Sequence, residues 1–258
     1  MLEELIRRDR LLMAVGLTVT IVLAWIYLLR AAGAMNAMAA EAHMHAAMGM
    51  ADMRMWGVSD WAGLFVMWAV MMVAMMLPSA APMILLVLGV YRRRDDDQAR
   101  LSAVMFVAGY LLAWTAFSAA AATLQIGFHR TALVAADMRF NSAVLSGVVL
   151  ILAGLYQWLP IKNVCLSHCQ SPLRYLSEHW REGARGGLMM GVDHGLFCVG
   201  CCWLLMALLF VLGVMNLFWI AALAAFVLLE KLAMRGAAIS RMAGILAAGW
   251  GVYLIVRH

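Results

Sequence analysis

Long apolar runs separated by short polar segments extend from one end of this chain to the other. A helix needs roughly 17–25 mostly apolar residues to cross the hydrocarbon layer of a membrane. Runs of about that length cover residues 11–30, 60–90, 101–124, 142–160, 188–213, 217–232 and 237–256. The pattern therefore predicts an all-α fold, a polytopic transmembrane bundle of about seven helices.

The first run predicts a retained N-terminal anchor helix within residues 1–32. It is longer than the ~7–15 apolar residues of a secretory signal, and no cleavage site follows it. Residues 33–59 are predicted to form an external loop rich in methionine and histidine. Residues 60–258 form the transmembrane bundle that carries most of the candidate metal ligands.

Composition agrees with this division. Hydrophobic residues make up 66% and charged residues 13% of the chain, and the mean hydropathy is +0.89. These values exclude a soluble globular protein and indicate one embedded in the lipid bilayer. The formal charge of +5 does not indicate nucleic-acid binding, because no basic stripe with interleaved aromatic residues stands outside the predicted spans. No nucleotide-binding loop, nucleophile elbow or HExxH motif supports the common enzyme classes.

Basic residues are distributed unevenly between the two predicted sides of the membrane. If the N-terminus is cytoplasmic, fourteen lysines and arginines lie on the cytoplasmic side and five on the outer side. Cytoplasmic loops carry the excess of basic residues in membrane proteins. The count therefore predicts a cytoplasmic N-terminus and an outside C-terminus, in a multi-pass protein of the bacterial inner (cytoplasmic) membrane.

The segment DHGLFCVGCC, residues 193–202, places soft metal ligands inside an apolar helix. At about 100° per residue, His194, Cys198, Cys201 and Cys202 share one face. Glycines of the same helix fall on that face, so a second helix can approach it closely. Buried cysteine also packs as a small hydrophobic residue. Three cysteines and a histidine within nine residues nevertheless favour a metal or redox site.

A second sulfur-rich stretch, MWAVMMVAMMLPSAAPM, lies in the run 60–90. Met71 and Met75 follow the i, i+4 spacing of one helical stripe, and Met72 and Met76 belong to the neighbouring stripe. The prolines that follow predict a kink or break near residues 77–81, facing the bundle interior. This stretch and the cysteine segment both lie near the bilayer centre. We therefore expect the two helices to pack against each other and share a metal site.

Two further groups of candidate ligands flank the predicted bundle. His43 and His45 lie among methionines in the external loop and could capture copper, although an interfacial helix explains the same composition. Cys165 and Cys169, with His168 between them, lie in the predicted cytoplasmic connection at a helical spacing that suits zinc or copper. Reduced cysteines without a ligand are the alternative there, and the five cysteines of the chain imply no disulfide framework.

Acidic residues within the apolar runs are also informative. Asp193 and Glu230 are the acids most expected inside the membrane, where ionisable groups are usually functional. Glu230 and the neighbouring Lys231 could instead mark the inner interface, with both side chains reaching the polar headgroups.

Three motifs in order, MWAVMMVAMMLPSAAPM, LPIKNVCLSHCQSP and GLFCVGCCWLLMALLFVLGVMNLFW ending in LLEK, resemble a bacterial domain-of-unknown-function family described as predicted metal-binding integral membrane proteins. The resemblance spans roughly residues 60–232 and implies metal binding in a membrane bundle. It carries over Met71, Met72, Met75, Met76, Pro78, Ser79, Pro82, Lys162, Cys165, Cys169, Gly195, Cys198, Cys201, Cys202, Asn216, Glu230 and Lys231.

Thiolate and thioether ligands favour Cu(I), with zinc as the second choice. The leading hypothesis is an integral membrane protein that binds copper for transport or handling, passing the ion from the external loop through the methionines to the cysteines. A copper-dependent membrane oxidoreductase is the alternative, and a structural metal that joins the two sulfur-rich helices is a third. A soluble metal-delivery partner and a homo-oligomer are both compatible with the sequence.

Overall fold

The computed structural model describes residues 2–47, 57–94, 98–134, 138–233 and 235–257. Within these ranges the fold is all-α, as predicted, apart from an isolated β-bridge between Val134 and Phe140. The helices are α1 (Leu2–Ala47), α2 (Val58–Arg93), α3 (Ala99–Arg130), α4 (Ala143–Tyr156), α5 (Pro160–Gln170), α6 (Pro172–His179), α7 (Gly183–Ala207), α8 (Leu209–Leu212), α9 (Leu217–Leu232) and α10 (Gly236–Arg257).

Five helical stretches of the described chain are long and apolar enough to cross a membrane, namely Arg7–Met35, Val58–Arg93, Ala99–Arg130, Gly183–Leu212 and Gly236–Arg257. Helices α4 and α5 would together make a sixth span, bent by 64°. The predicted span 217–232 corresponds to α9, which has 16 residues. At 1.5 Å per residue it is roughly 24 Å long, shorter than the ~30 Å hydrocarbon layer.

Helix α2 is continuous from Val58 to Arg93, with both prolines inside it. The break predicted near residues 77–81 is therefore absent. Each proline removes one backbone donor, and side chains from the same and neighbouring helices can supply others in a membrane helix. The carbonyls that lose their usual helical donor are those of Ala74 and Pro78, four residues before each proline. Nearby, the hydroxyls of Ser79 and Tyr110 both donate to the Met76 carbonyl, at 2.8 and 3.1 Å.

Helices α3 and α7 make the most extensive helix–helix contact of the described chain. A Cβ atom on Gly191 would overlap the backbone of Phe106, and one on Gly109 would lie 2.8 Å from the Val192 nitrogen. The glycine face of α7 thus admits a neighbouring helix at close range, as predicted, because it carries no side chains. The neighbour is α3 rather than the expected α2.

The segment expected as a cytoplasmic connection is largely helical, and α5 packs against α7 and α9. Its lysine, Lys162, is fully buried. Lys162 and Lys231 therefore cannot be counted among the basic residues at the cytoplasmic surface, although the excess on that side persists without them. At the same predicted end, the buried carboxylate of Asp9 forms ion pairs with Arg92 and Arg100 and ties α1 to α2 and α3.

The predicted external loop begins inside α1, whose helical backbone continues to Ala47. His43 and His45 lie near its C-terminal end, and their side chains fall outside the described part of the chain, as do residues 48–56 entirely. A role for this segment in copper capture stays a prediction.

Candidate metal site

Sulfur atoms from two helices meet in the centre of the bundle. The Cys202 Sγ atom on α7 lies 3.9 Å from the Met76 Sδ atom on α2. Cys198 lies one helical turn from Cys202, and all three side chains are at most 1% exposed. Although α3 is the closer backbone neighbour of α7, long side chains from α2 still reach the cysteine face, as the matched depths of the two stretches predict.

The thiols of α7 are directed back at their own helix. The Cys201 and Cys202 thiols both donate to the Cys198 carbonyl, at 3.1 and 2.8 Å. Within the described residues, no three His, Cys, Asp or Glu side chains are gathered in a way that could hold a metal ion. Binding copper would thus require these thiols to lose their protons and turn away from the carbonyl. The donor chemistry suits Cu(I), but the side-chain rotamers are not those of a closed site.

A lysine also reaches this group of sulfur atoms. The Lys231 Nζ atom lies 2.9 Å from the Cys198 Sγ atom and 3.1 Å from the Ser79 Oγ atom. Lys231 is 6% exposed, and an ammonium group in such surroundings needs a nearby negative charge. The Tyr110 hydroxyl contacts the same Cys198 sulfur, at 3.1 Å. Cys198 is therefore the sulfur with the most polar partners, and its thiolate would balance the lysine charge.

Glu230, the residue before Lys231, pairs with a different lysine. Its Oε1 atom lies 2.5 Å from the Lys162 Nζ atom, and both side chains are at most 1% exposed. Lys162 also donates to Gln157, which accepts a hydrogen bond from Ser240 at 2.7 Å. The short length of α9 explains the arrangement, because its C-terminal end stops inside the bundle. Because Glu230 and Lys231 are 1% and 6% exposed, neither side chain reaches outward from the protein; the depth of the two residues in the membrane stays a prediction.

Helix α5 brings the two remaining cysteines to α7. The Cys169 thiol faces Cys198 and Cys201. The Cys165 Sγ atom packs on Gly200, 2.9 Å from where a Cβ atom would stand. Both cysteines are only partly buried by residue exposure. The candidate ligands of the predicted connection thus lie against the cysteine helix rather than in a separate loop.

His194 is 3% exposed, and its Nδ1 atom has no hydrogen-bond partner. Its ring lies among aromatic side chains, with centroids 5.3 Å from Tyr175 and 5.8 Å from Phe106. An unpartnered buried ring nitrogen is costly, and a metal ion or a bound water would satisfy it. Asp193, in contrast, lies 3.7 Å from Arg181 and keeps 37% of its side chain exposed.

The other predicted methionines are core residues of α2. Met71, Met72 and Met75 are each at most 1% exposed, and they lie within two helical turns of Met76. Tyr110 was not predicted as a member of this site, since one tyrosine in an apolar helix carries little signal. The contact of Lys231 with sulfur was not predicted either, although an ionisable residue in an apolar run is itself a sign of a functional site.

One family model matches residues 65–254, that of PpoB2, described as a copper chaperone. The matched segment contains α3 to α9 in full and every candidate ligand except His43 and His45. The chain matches no curated protein and no solved structure.

Proposed function

We propose, from the premise that the chain belongs to the PpoB2 copper-chaperone family, that it holds Cu(I) on membrane-embedded sulfur atoms and passes the ion to an acceptor. The observation that carries this proposal is the approach of Cys202 to Met76 beside Cys198, all within the buried core. Thiolate and thioether sulfur are the ligands that select Cu(I) over harder cations. Here "sulfur cluster" denotes Met76, Cys169, Cys198, Cys201 and Cys202.

Charge balance supports a monovalent ion. Two thiolates and one Cu(I) carry a net charge of −1, which is unfavourable in an apolar interior. The Lys231 ammonium group, 2.9 Å from the Cys198 Sγ atom, would neutralise that charge. A divalent ion bound by the same two thiolates would instead leave the lysine charge uncompensated. The arrangement therefore favours Cu(I) over zinc.

The reversible hydrogen bonds of the thiols suit a chaperone that releases its ion. The Cys202 and Cys201 thiols can return to the Cys198 carbonyl after release, at 2.8 and 3.1 Å, so neither is left as an unsatisfied buried donor. We further propose a bacterial inner-membrane location with the N-terminus in the cytoplasm, on the basis of the charge distribution. A soluble protein that delivers or accepts the ion is part of the same proposal.

The test is a Cu(I) competition titration of the full chain in detergent, against a chromogenic Cu(I) chelator and without oxygen. We expect the Met76→Leu variant to bind Cu(I) roughly tenfold more weakly, since it loses one thioether ligand with little change in volume. The Cys198→Ser, Cys202→Ser double variant should lose the sulfur-bound copper altogether.

The matched control is Met206→Leu, because Met206 is a fully buried methionine on α7 that belongs to no proposed ligand set. This variant should keep the affinity of the parent chain. The sulfur cluster is not the site if the parent chain and the double cysteine variant bind equal copper and show the same copper–sulfur scattering in X-ray absorption. Binding without transfer to any acceptor would instead indicate a storage or structural metal.

A further inference from the structure

A pair of histidines lies outside the sulfur cluster, on the two short helices that precede α7. His168 belongs to α5 and His179 to α6. Their ring centroids are 6.0 Å apart, with the ring planes at 74°. Both residues are partly exposed, so an ion can reach them without crossing the bundle core.

Each imidazole is held in one tautomer by its own helix. The Nδ1 atom of His168 lies 2.8 Å from the Val164 carbonyl oxygen, and that of His179 lies 3.3 Å from the Tyr175 carbonyl oxygen. Because a carbonyl only accepts, Nδ1 must carry the proton in both rings. The Nε2 atoms are left with free lone pairs. A histidine that binds a metal usually has this arrangement, with its second nitrogen donating to a backbone carbonyl.

Stacking also fixes the position of both rings. His168 lies on Phe197 with a centroid distance of 4.2 Å and nearly parallel planes. His179 stacks on Tyr175 at 4.8 Å. Two nitrogens that share a metal at about 2.0–2.1 Å place their ring centroids roughly 5–6.5 Å apart. The observed 6.0 Å falls in that range, so the spacing of the two rings is compatible with a shared ion.

The charged pair on the same helix as His179 does not oppose a cation. Arg174 donates to the Glu178 carboxylate at 2.8 Å, so the pair carries no net charge. Its guanidinium charge is therefore balanced locally and does not act as an unpaired positive charge against a bound ion.

We propose that His168 and His179 form a second, two-imidazole copper site at the predicted cytoplasmic end of the bundle, through which the sulfur cluster exchanges its ion with a soluble donor or acceptor. Two nitrogen ligands suffice for two-coordinate Cu(I), so the site needs no third side chain. Its position supports exchange, because Cys169 follows His168 directly and Phe197 precedes Cys198. The exchange role rests on the proposed function, whereas copper binding by the two imidazoles does not.

The experiment uses the full chain loaded with Cu(I) as its glutathione complex, followed by metal analysis and X-ray absorption. In the Cys198→Ser, Cys202→Ser background, we expect about one copper to remain, bound by nitrogen only. Adding His168→Gln and His179→Gln should remove it. The matched control is His129→Gln, a partly buried histidine on α3 at the opposite end of the bundle, which should leave the copper content unchanged.

Two outcomes would overturn the proposal: a cysteine variant that keeps no copper, or nitrogen-bound copper that survives both histidine substitutions. If the parent chain shows nitrogen ligands without sulfur ligands, the histidine site stands and the proposed function fails. Should the cysteine background fail to fold, the His179→Gln variant of the parent chain provides the second test. It should load the sulfur cluster roughly tenfold more slowly from glutathione-bound copper, and an unchanged rate would refute the exchange role.

Discussion

The buried ion pair between Lys162 and Glu230 gives the sharpest prediction of stability. Its two charged atoms lie 2.5 Å apart, and the side chains are 0% and 1% exposed. The Glu230→Gln substitution keeps the shape but leaves the Lys162 charge without its counter-ion. Removing one partner of a buried pair typically costs about 3–5 kcal/mol. Losing the proton from an ordinary lysine at pH 7 costs about 4.6 kcal/mol, so neutralising the lysine does not lower the penalty much.

The assay is thermal unfolding of the detergent-purified chain, followed by the loss of its monodisperse peak in size-exclusion chromatography. At about 2–4 °C per kcal/mol for a chain of this size, Glu230→Gln should lower Tm by roughly 6–20 °C. The paired substitution Lys162→Met with Glu230→Leu removes both charges and should recover most of this loss.

Glu178→Gln is the control for the loss of a carboxylate, because the Glu178 pair with Arg174 is solvent-exposed. It should leave Tm almost unchanged. A Glu230→Gln variant with the same Tm as the parent chain would refute a stabilising role for this ion pair. So would a paired substitution whose Tm falls as far as that of the single one.

Three further predictions concern the helix packing, the site and the predicted cytoplasmic end. Gly191→Ala should destabilise the chain by about 1–3 kcal/mol, because its Cβ atom would force α3 and α7 apart. The control Gly127→Ala has open space around it and should not destabilise the chain. Equal Tm values for the two variants would contradict this packing. Tyr110→Phe removes the hydroxyl that contacts Cys198. It should lower the free energy of unfolding by about 1 kcal/mol and change the Cu(I) affinity. An unaltered competition titration would exclude this tyrosine from the site. Asp9→Asn weakens the ion pairs that join α1 to α2 and α3, so limited proteolysis should release the N-terminal helix sooner, and an unchanged digestion pattern would argue against that anchoring role.

The periodicity and depth of the apolar runs predicted the helical fold and the approach of two sulfur-rich stretches. Both follow from short-range rules, since a helix in lipid must satisfy its own backbone and its residues repeat every 3.6 positions. The prolines predicted a kink or a break, and the break is absent because α2 continues through both of them. The rule for proline is local, whereas the helices that pack around α2 come from elsewhere in the chain. The position of Lys162 was also misjudged, since a lysine in a short polar segment is indistinguishable from a surface lysine until its carboxylate partner is known.

The histidine pair, too, could be predicted only in part from the sequence. His168 stood out beside two cysteines, while His179 carried no signal, because ten residues and a turn between two helices separate them in the chain.

The sequence by itself determined that this chain lies in a membrane as a helical bundle and that soft ligands occupy its interior. Hydropathy and ligand chemistry are properties of single residues and their near neighbours, so they can be read along the chain. The tertiary structure alone decided that Lys231 and Tyr110 meet the Cys198 sulfur, that Lys162 pairs with Glu230, and that α3 fills the glycine face of α7. These contacts join helices far apart in sequence, and only the packing of side chains selects among the many pairings that the same apolar pattern allows.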